Sequence, residues 1–147
     1  MSRPLVIDTF PINDEKTMLE GRLETMDPAV DFFIAIEADV DHQDHPKPYH
    51  ISDDLGRFDA WKDKLIVVRA SGLPTVADDP DPWARELMQR EFVMEGLREV
   101  NARAGIDDKT IVLHGDVDEI CRPEFARNVR PKRPARPTLL PDNTPDL

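Results

Sequence analysis

Apolar and polar positions follow two rhythms along this chain, and each change of rhythm marks an element. Leu5–Phe10 (LVIDTF) reads as a strand. In Asn13–Met26, cap-type residues precede Leu19, Leu23 and Met26, whose spacing places them on one helical face. Val30–Ala38 (VDFFIAIEA) is almost continuously apolar, the mark of a strand covered on both faces. A loop rich in proline and histidine follows over Asp39–His50. Asp63–Ala70 is the next strand, a polar linker runs to Pro82, and Trp83–Ala104 reads as one long helix closed by Gly105. Lys109–Gly115 (KTIVLHG) supplies a fourth strand. Strand, helix, strand, strand, helix, strand predicts an α/β fold with a mostly parallel sheet flanked by helices.

Composition narrows the chemistry. A chain of 147 residues is about one domain's worth, with 30 acidic against 19 basic side chains and a net charge of −11. That balance argues against general nucleic-acid binding, which is driven by phosphate neutralisation. An anionic ligand would need a metal or local arginines. The single Cys121 excludes an internal disulfide framework and fits a reducing compartment. No signal peptide and no apolar run near the ~20 residues of a membrane span is visible, so the expected location is cytoplasmic. Charge is uneven: residues 122–147 hold six basic and three acidic side chains, which leaves the first 121 with 14 more acids than bases. The expected division is a folded unit over 1–123 and a proline-rich, basic, disordered tail over 124–147.

Three acids, Asp116, Asp118 and Glu119, stand directly behind the fourth apolar run. Two carboxylates about 5 Å apart repel by about 3 kcal/mol at an effective dielectric near 20, so the crowding needs an offset. In open α/β sheets ligands sit beyond the carboxyl ends of the strands, and Asp116 begins where such a strand stops. If the backbone stays extended, Asp116 and Asp118 project to one side. That pair suits Mg²⁺ or Mn²⁺, hard cations that share their coordination with substrate phosphates. A solvated acidic turn is the alternative.

Two further groups raise questions. The apolar stripe Val93, Leu97, Val100, Ala104 extends backward onto Arg90 and Glu86. Either these form an exposed i,i+4 pair contributing about 0.2–0.5 kcal/mol, or they orient a site. His42, His45 and His50 lie among Asp39, Asp41 and Asp44, a zinc-compatible composition without an established ligand spacing.

Ordered segments then carry a resemblance. VIDTFPINDE at Val6–Glu15, LEGRL at Leu19–Leu23, VDFFIAIEA at Val30–Ala38, KPY at Lys47–Tyr49, RF at Arg57–Phe58, DKLIVV at Asp63–Val68, WARELMQR at Trp83–Arg90 and DVDEICRP at Asp116–Pro123 resemble glycosyltransferase family 17. That family includes the enzyme that adds the bisecting N-acetylglucosamine to N-glycans. The resemblance implies the donor-binding half of a GT-A (Rossmann-like) fold, apparently truncated. It implies that Asp116 and Asp118 hold Mn²⁺ or Mg²⁺ against the diphosphate of UDP-N-acetylglucosamine, with Glu119 as an orienting neighbour. Arg90, supported by Glu86, would lie near the phosphates, and Asp8 and Glu37, at the first two strand ends, would meet ribose or base. The sequence departs from the family before the Lys47–Pro48 pair, where a Thr/Gly-rich run is usual. The implied activity is metal-dependent, inverting transfer of N-acetylglucosamine to an unidentified acceptor hydroxyl, with no catalytic base assigned. A noncatalytic remnant that binds nucleotide-sugar or metal is the alternative, and a phosphohydrolase would need a nucleophile or second acidic cluster that is not visible.

Overall fold

The computed structural model describes residues 3–39, 46–71, 87–88 and 91–120. Four strands form one sheet: β1 (Val6–Ile12), β2 (Phe32–Ala38), β3 (Leu65–Ala70) and β4 (Ile111–His114). Their order is β3-β2-β1-β4, and every pairing is parallel. Two α-helices have described bounds, α1 (Lys16–Met26) and α2 (Val93–Ala104), Leu87 and Met88 are helical as well, and short 3-10 segments lie at Asp27–Ala29 and Ser52–Trp61.

The order explains which face each helix covers. From β1 the chain steps outward through β2 to β3, so α1 and the Ser52–Trp61 segment lie on the same face. Leu19, Leu23 and Met26 of α1 pack there with Ile51, Phe58 and the strand residues Val6, Phe10, Phe33 and Ile111. From β3 the chain reverses direction to place β4 beside β1, and α2 covers the opposite face against Ile34, Ile36, Ile66 and Val68. This reversal between β1 and β4 is the switch point at which doubly wound sheets open a crevice for ligands.

Glycine permits the closest helix–sheet approach. A Cβ on Gly96 would stand 2.5 Å from Cγ2 and 2.8 Å from Cδ1 of Ile34, closer than packed carbons allow. At the other end of α2, Gly105 takes φ 78°, a left-handed conformation that costs glycine little and stops the helix.

Several expected boundaries move. β1 continues to Ile12 rather than ending at Phe10, which puts Asp8 in mid-strand. The other three strands lie within their expected ranges but are shorter. Helix α1 begins at Lys16 after Glu15, with no side-chain cap; instead Glu15 Oε1 turns back to accept the Asn13 N–H at 2.7 Å. On α2 Val93, Leu97 and Val100 pack on the sheet as the stripe predicts, joined by the buried Gly96, while Ala104, expected on the stripe, is exposed. The linker to Pro82, the helix start with Trp83, the 124–147 tail, Cys121, His42, His45, Asp41 and Asp44 lie outside the described residues. No described helix is long and apolar enough to cross a membrane.

Candidate functional site

Backbone pairing carries β4 to the crevice. Gly115 N–H donates to Thr9 O at 3.2 Å, so β4 stays beside β1 until Asp116 leaves the sheet. The chain does not remain extended there. Glu119 N–H donates to Asp116 O at 2.9 Å, closing a turn through Val117 and Asp118. Val117 is buried in the α1-side core while Asp116, Asp118 and Glu119 are exposed. The apolar residue therefore anchors the turn with the aspartates on its solvent side. Glu119 braces it a second time, its Oε1 accepting the Asp116 N–H at 2.6 Å.

Beneath the turn lies Arg22, on the same face of α1 as Leu19, Leu23 and Met26, and 2 % exposed. Its Nη1 donates to the carbonyl oxygens of Asp116 (2.7 Å), Val117 (3.1 Å) and Glu119 (2.8 Å). Nε and Nη2 donate to Oδ2 and Oδ1 of Asp8 at 2.6 and 2.7 Å, a two-pronged pair buried in mid-sheet. The guanidinium also lies 4.6 Å from the centroid of the Phe10 ring, a cation–π contact. Burial pushes the Asp8 carboxyl up from its ordinary value, and Arg22, then His114, pulls it back.

This arrangement corrects the expected role of Asp8. Fully buried and gripped at both oxygens, it holds a protein arginine and offers no surface to a ribose or base. Glu37 is corrected likewise. Also fully buried, it accepts the Ile51 N–H at 2.7 Å and both the Ser52 N–H and hydroxyl at 2.8 Å, so it caps the Ser52–Trp61 segment. Arg90 and Glu86 lie outside the described residues.

Lys47 was not expected at the site. Its backbone N–H donates to Asp39 O at 2.9 Å, which folds the chain back over the carboxyl end of β2. The side chain as a whole is half-buried, yet Nζ itself is shut away from solvent with no hydrogen-bond partner among the described residues. Burial pushes its pKa down, against the opposing pull of Glu37, Asp14, Asp39 and Glu15. Two of these acids, Asp14 and Glu15, follow the carboxyl end of β1. Nζ is thus a buried donor without a described acceptor, held only by the attraction of the neighbouring acids.

Thr9 and His114 also meet across the β1–β4 seam. The Thr9 hydroxyl donates its one proton to Leu113 O at 2.9 Å and lies 2.6 Å from His114 Nδ1. A sequence signal existed for Arg22, an arginine on an otherwise apolar helical stripe. For Lys47 the KPY segment marked the position but not its burial, which depends on how the chain folds back at the end of β2.

No three His, Cys, Asp or Glu side chains converge among the described residues in a way that would hold a metal alone. Asp116 and Asp118 present hard oxygens only, a set that fits a cation completing its shell from a ligand's oxygens. Neither the curated proteins nor the solved structures contain a match. The parallel sheet with its β1–β4 switch point is a Rossmann-like arrangement consistent with GT-A enzymes, and the family model described as glycosyltransferase family 17 matches residues 1–130. With nearly the whole chain so matched, and the sheet, crevice and acidic turn in place, the protein belongs to glycosyltransferase family 17 and is a glycosyltransferase.

Proposed function

We propose that the chain is the donor-binding core of a metal-dependent, inverting N-acetylglucosaminyltransferase that uses UDP-N-acetylglucosamine. The observation that carries this reading is the position of Asp116 and Asp118: both exposed, on a turn pinned at the β1–β4 switch point, where a diphosphate would lie. When bound there, Mn²⁺ or Mg²⁺ supplies Lewis-acid neutralisation of the charge that develops on the departing UDP. Asp116 and Asp118 hold the cation. Glu119 keeps the turn closed. Asp39, at the carboxyl end of β2, accepts from a hydroxyl or the base imide, the work once expected of Asp8 and Glu37.

Calorimetric titration of UDP with and without Mn²⁺ tests the reading. Wild type should bind UDP at least tenfold more tightly with Mn²⁺, and Asp116→Asn and Asp118→Asn should each lose that gain. Undiminished metal-assisted binding in both variants would refute the assignment.

A further inference from the structure

We infer that Arg22, clamped by Asp8, is a positioning residue for the cation-holding turn. The inference rests on the function proposed above and names the residue that gives the turn its shape. Neither side chain touches donor or metal; both act through the backbone of residues 116–119.

The geometry is specific to a guanidinium. Arg22 has three nitrogens in one plane, and all three are committed: Nε and Nη2 grip the two oxygens of Asp8, while Nη1 collects three carbonyls of the turn. Asp8 fixes the direction of the fork, because a two-pronged carboxylate pair defines a plane as well as a distance. Asp8 is itself fixed, being paired in register with Phe33 on one side and Leu113 on the other, on an interior strand of the four. Rigidity thus passes from the sheet to Asp8, from Asp8 to Arg22, and from Arg22 to the peptide planes that carry Asp116 and Asp118.

Such rigidity has a use. Mg²⁺ demands near-octahedral geometry at about 2.0–2.1 Å, and sites that bind it keep their ligands within a few tenths of an ångström. An exposed four-residue turn held only by its own Asp116–Glu119 bonds would sample many carboxylate positions. Drawing three carbonyls onto one buried nitrogen leaves one. The Asp8 pair engages only Nε and Nη2, so the buried Nη1 needs acceptors of its own, and the carbonyls that satisfy it are those of the turn it shapes.

The test uses the full chain, with Mn²⁺ binding in the presence of UDP read by electron paramagnetic resonance and metal-free UDP binding read by calorimetry. Arg22→Lys keeps the charge but has one nitrogen to serve both Asp8 and the turn. The double variant Asp8→Leu/Arg22→Met replaces the buried pair with apolar side chains, a change that folded proteins usually tolerate in stability. Both should weaken Mn²⁺ binding at least tenfold and broaden the Mn²⁺ spectrum, with metal-free UDP affinity unchanged and the double variant's melting temperature within a few degrees of wild type. A folded double variant with wild-type Mn²⁺ affinity overturns the inference while Asp116→Asn, run alongside, still loses binding. If Asp116→Asn also binds Mn²⁺ as wild type does, the proposed function fails first and this inference with it.

Discussion

At the scale of single residues, the two buried cations of the α1-side face contrast. Arg22 has every nitrogen engaged, whereas Lys47 Nζ is buried without a hydrogen-bond partner among the described residues. A buried donor left unsatisfied costs stability, and the four acids that pull on it supply only a screened attraction. Lys47→Met should therefore stabilise the fold by about 0.5–1 kcal/mol at neutral pH. The pH dependence has a definite sign. The folded lysine's pKa lies below its unfolded value of 10.5, so the charged native form bears the full cost on the acid side. As pH rises through the lowered pKa, the native lysine loses its proton first and wild-type stability recovers. Urea melts should thus show a Lys47→Met advantage at pH 7 that shrinks toward pH 10. A variant less stable than wild type at pH 7 would mean that Nζ has a partner after all.

At the scale of elements, the strands were legible as apolar runs, β1, β2 and β3 facing two cores and the edge strand β4 one, with Val112 exposed, and α1 was legible from Leu19, Leu23 and Met26. The Ser52–Trp61 segment was not. Its sequence SDDLGRFDAW has no apolar period, and tertiary contacts hold it in place: Phe58 is buried, Glu37 caps its start, Arg57 pairs with Glu20 of α1 and Lys16 with Asp54. The position of Asp116 and Asp118 was legible from the strand before them, though the extended backbone assumed for them proved to be a turn. The roles of Asp8 and Glu37 were not, since their partners stand 14 or 15 positions away in elements whose packing the sequence does not print. Gly96 was missed for a related reason, because a glycine inside a helical pattern shows its purpose only when the sheet beneath is known. Gly96→Ala should destabilise by about 1–2 kcal/mol: overpacking of about 1–3 kcal/mol exceeds the gain of up to about 1 kcal/mol in helix propensity. Ile34→Ala should relieve the clash, so the double variant should be more stable than the sum of the single changes predicts. Additive losses in denaturant melts would show that Ile34 is not what Gly96 accommodates.

At the scale of the whole molecule, charge decides how an anionic donor arrives. The chain carries a net −11, and Asp116, Asp118 and Glu119 at the crevice mouth add their field to it locally. Metal-free UDP must approach against that potential, which salt screens over a Debye length of about 8 Å at physiological ionic strength. Raising NaCl from about 20 to about 300 mM should therefore strengthen the weak metal-free binding of UDP. The metal-assisted mode should behave differently. There the cation is attracted to the acidic turn, and added salt screens that attraction, so Mn²⁺-dependent affinity should fall over the same range. Opposite signs for the two titrations follow only if the cation stands between acidic protein and acidic ligand. A basic phosphate pocket would give a steep loss of metal-free UDP affinity with salt instead. That result would move recognition of the diphosphate away from Asp116 and Asp118 to arginines and lysines elsewhere in the chain.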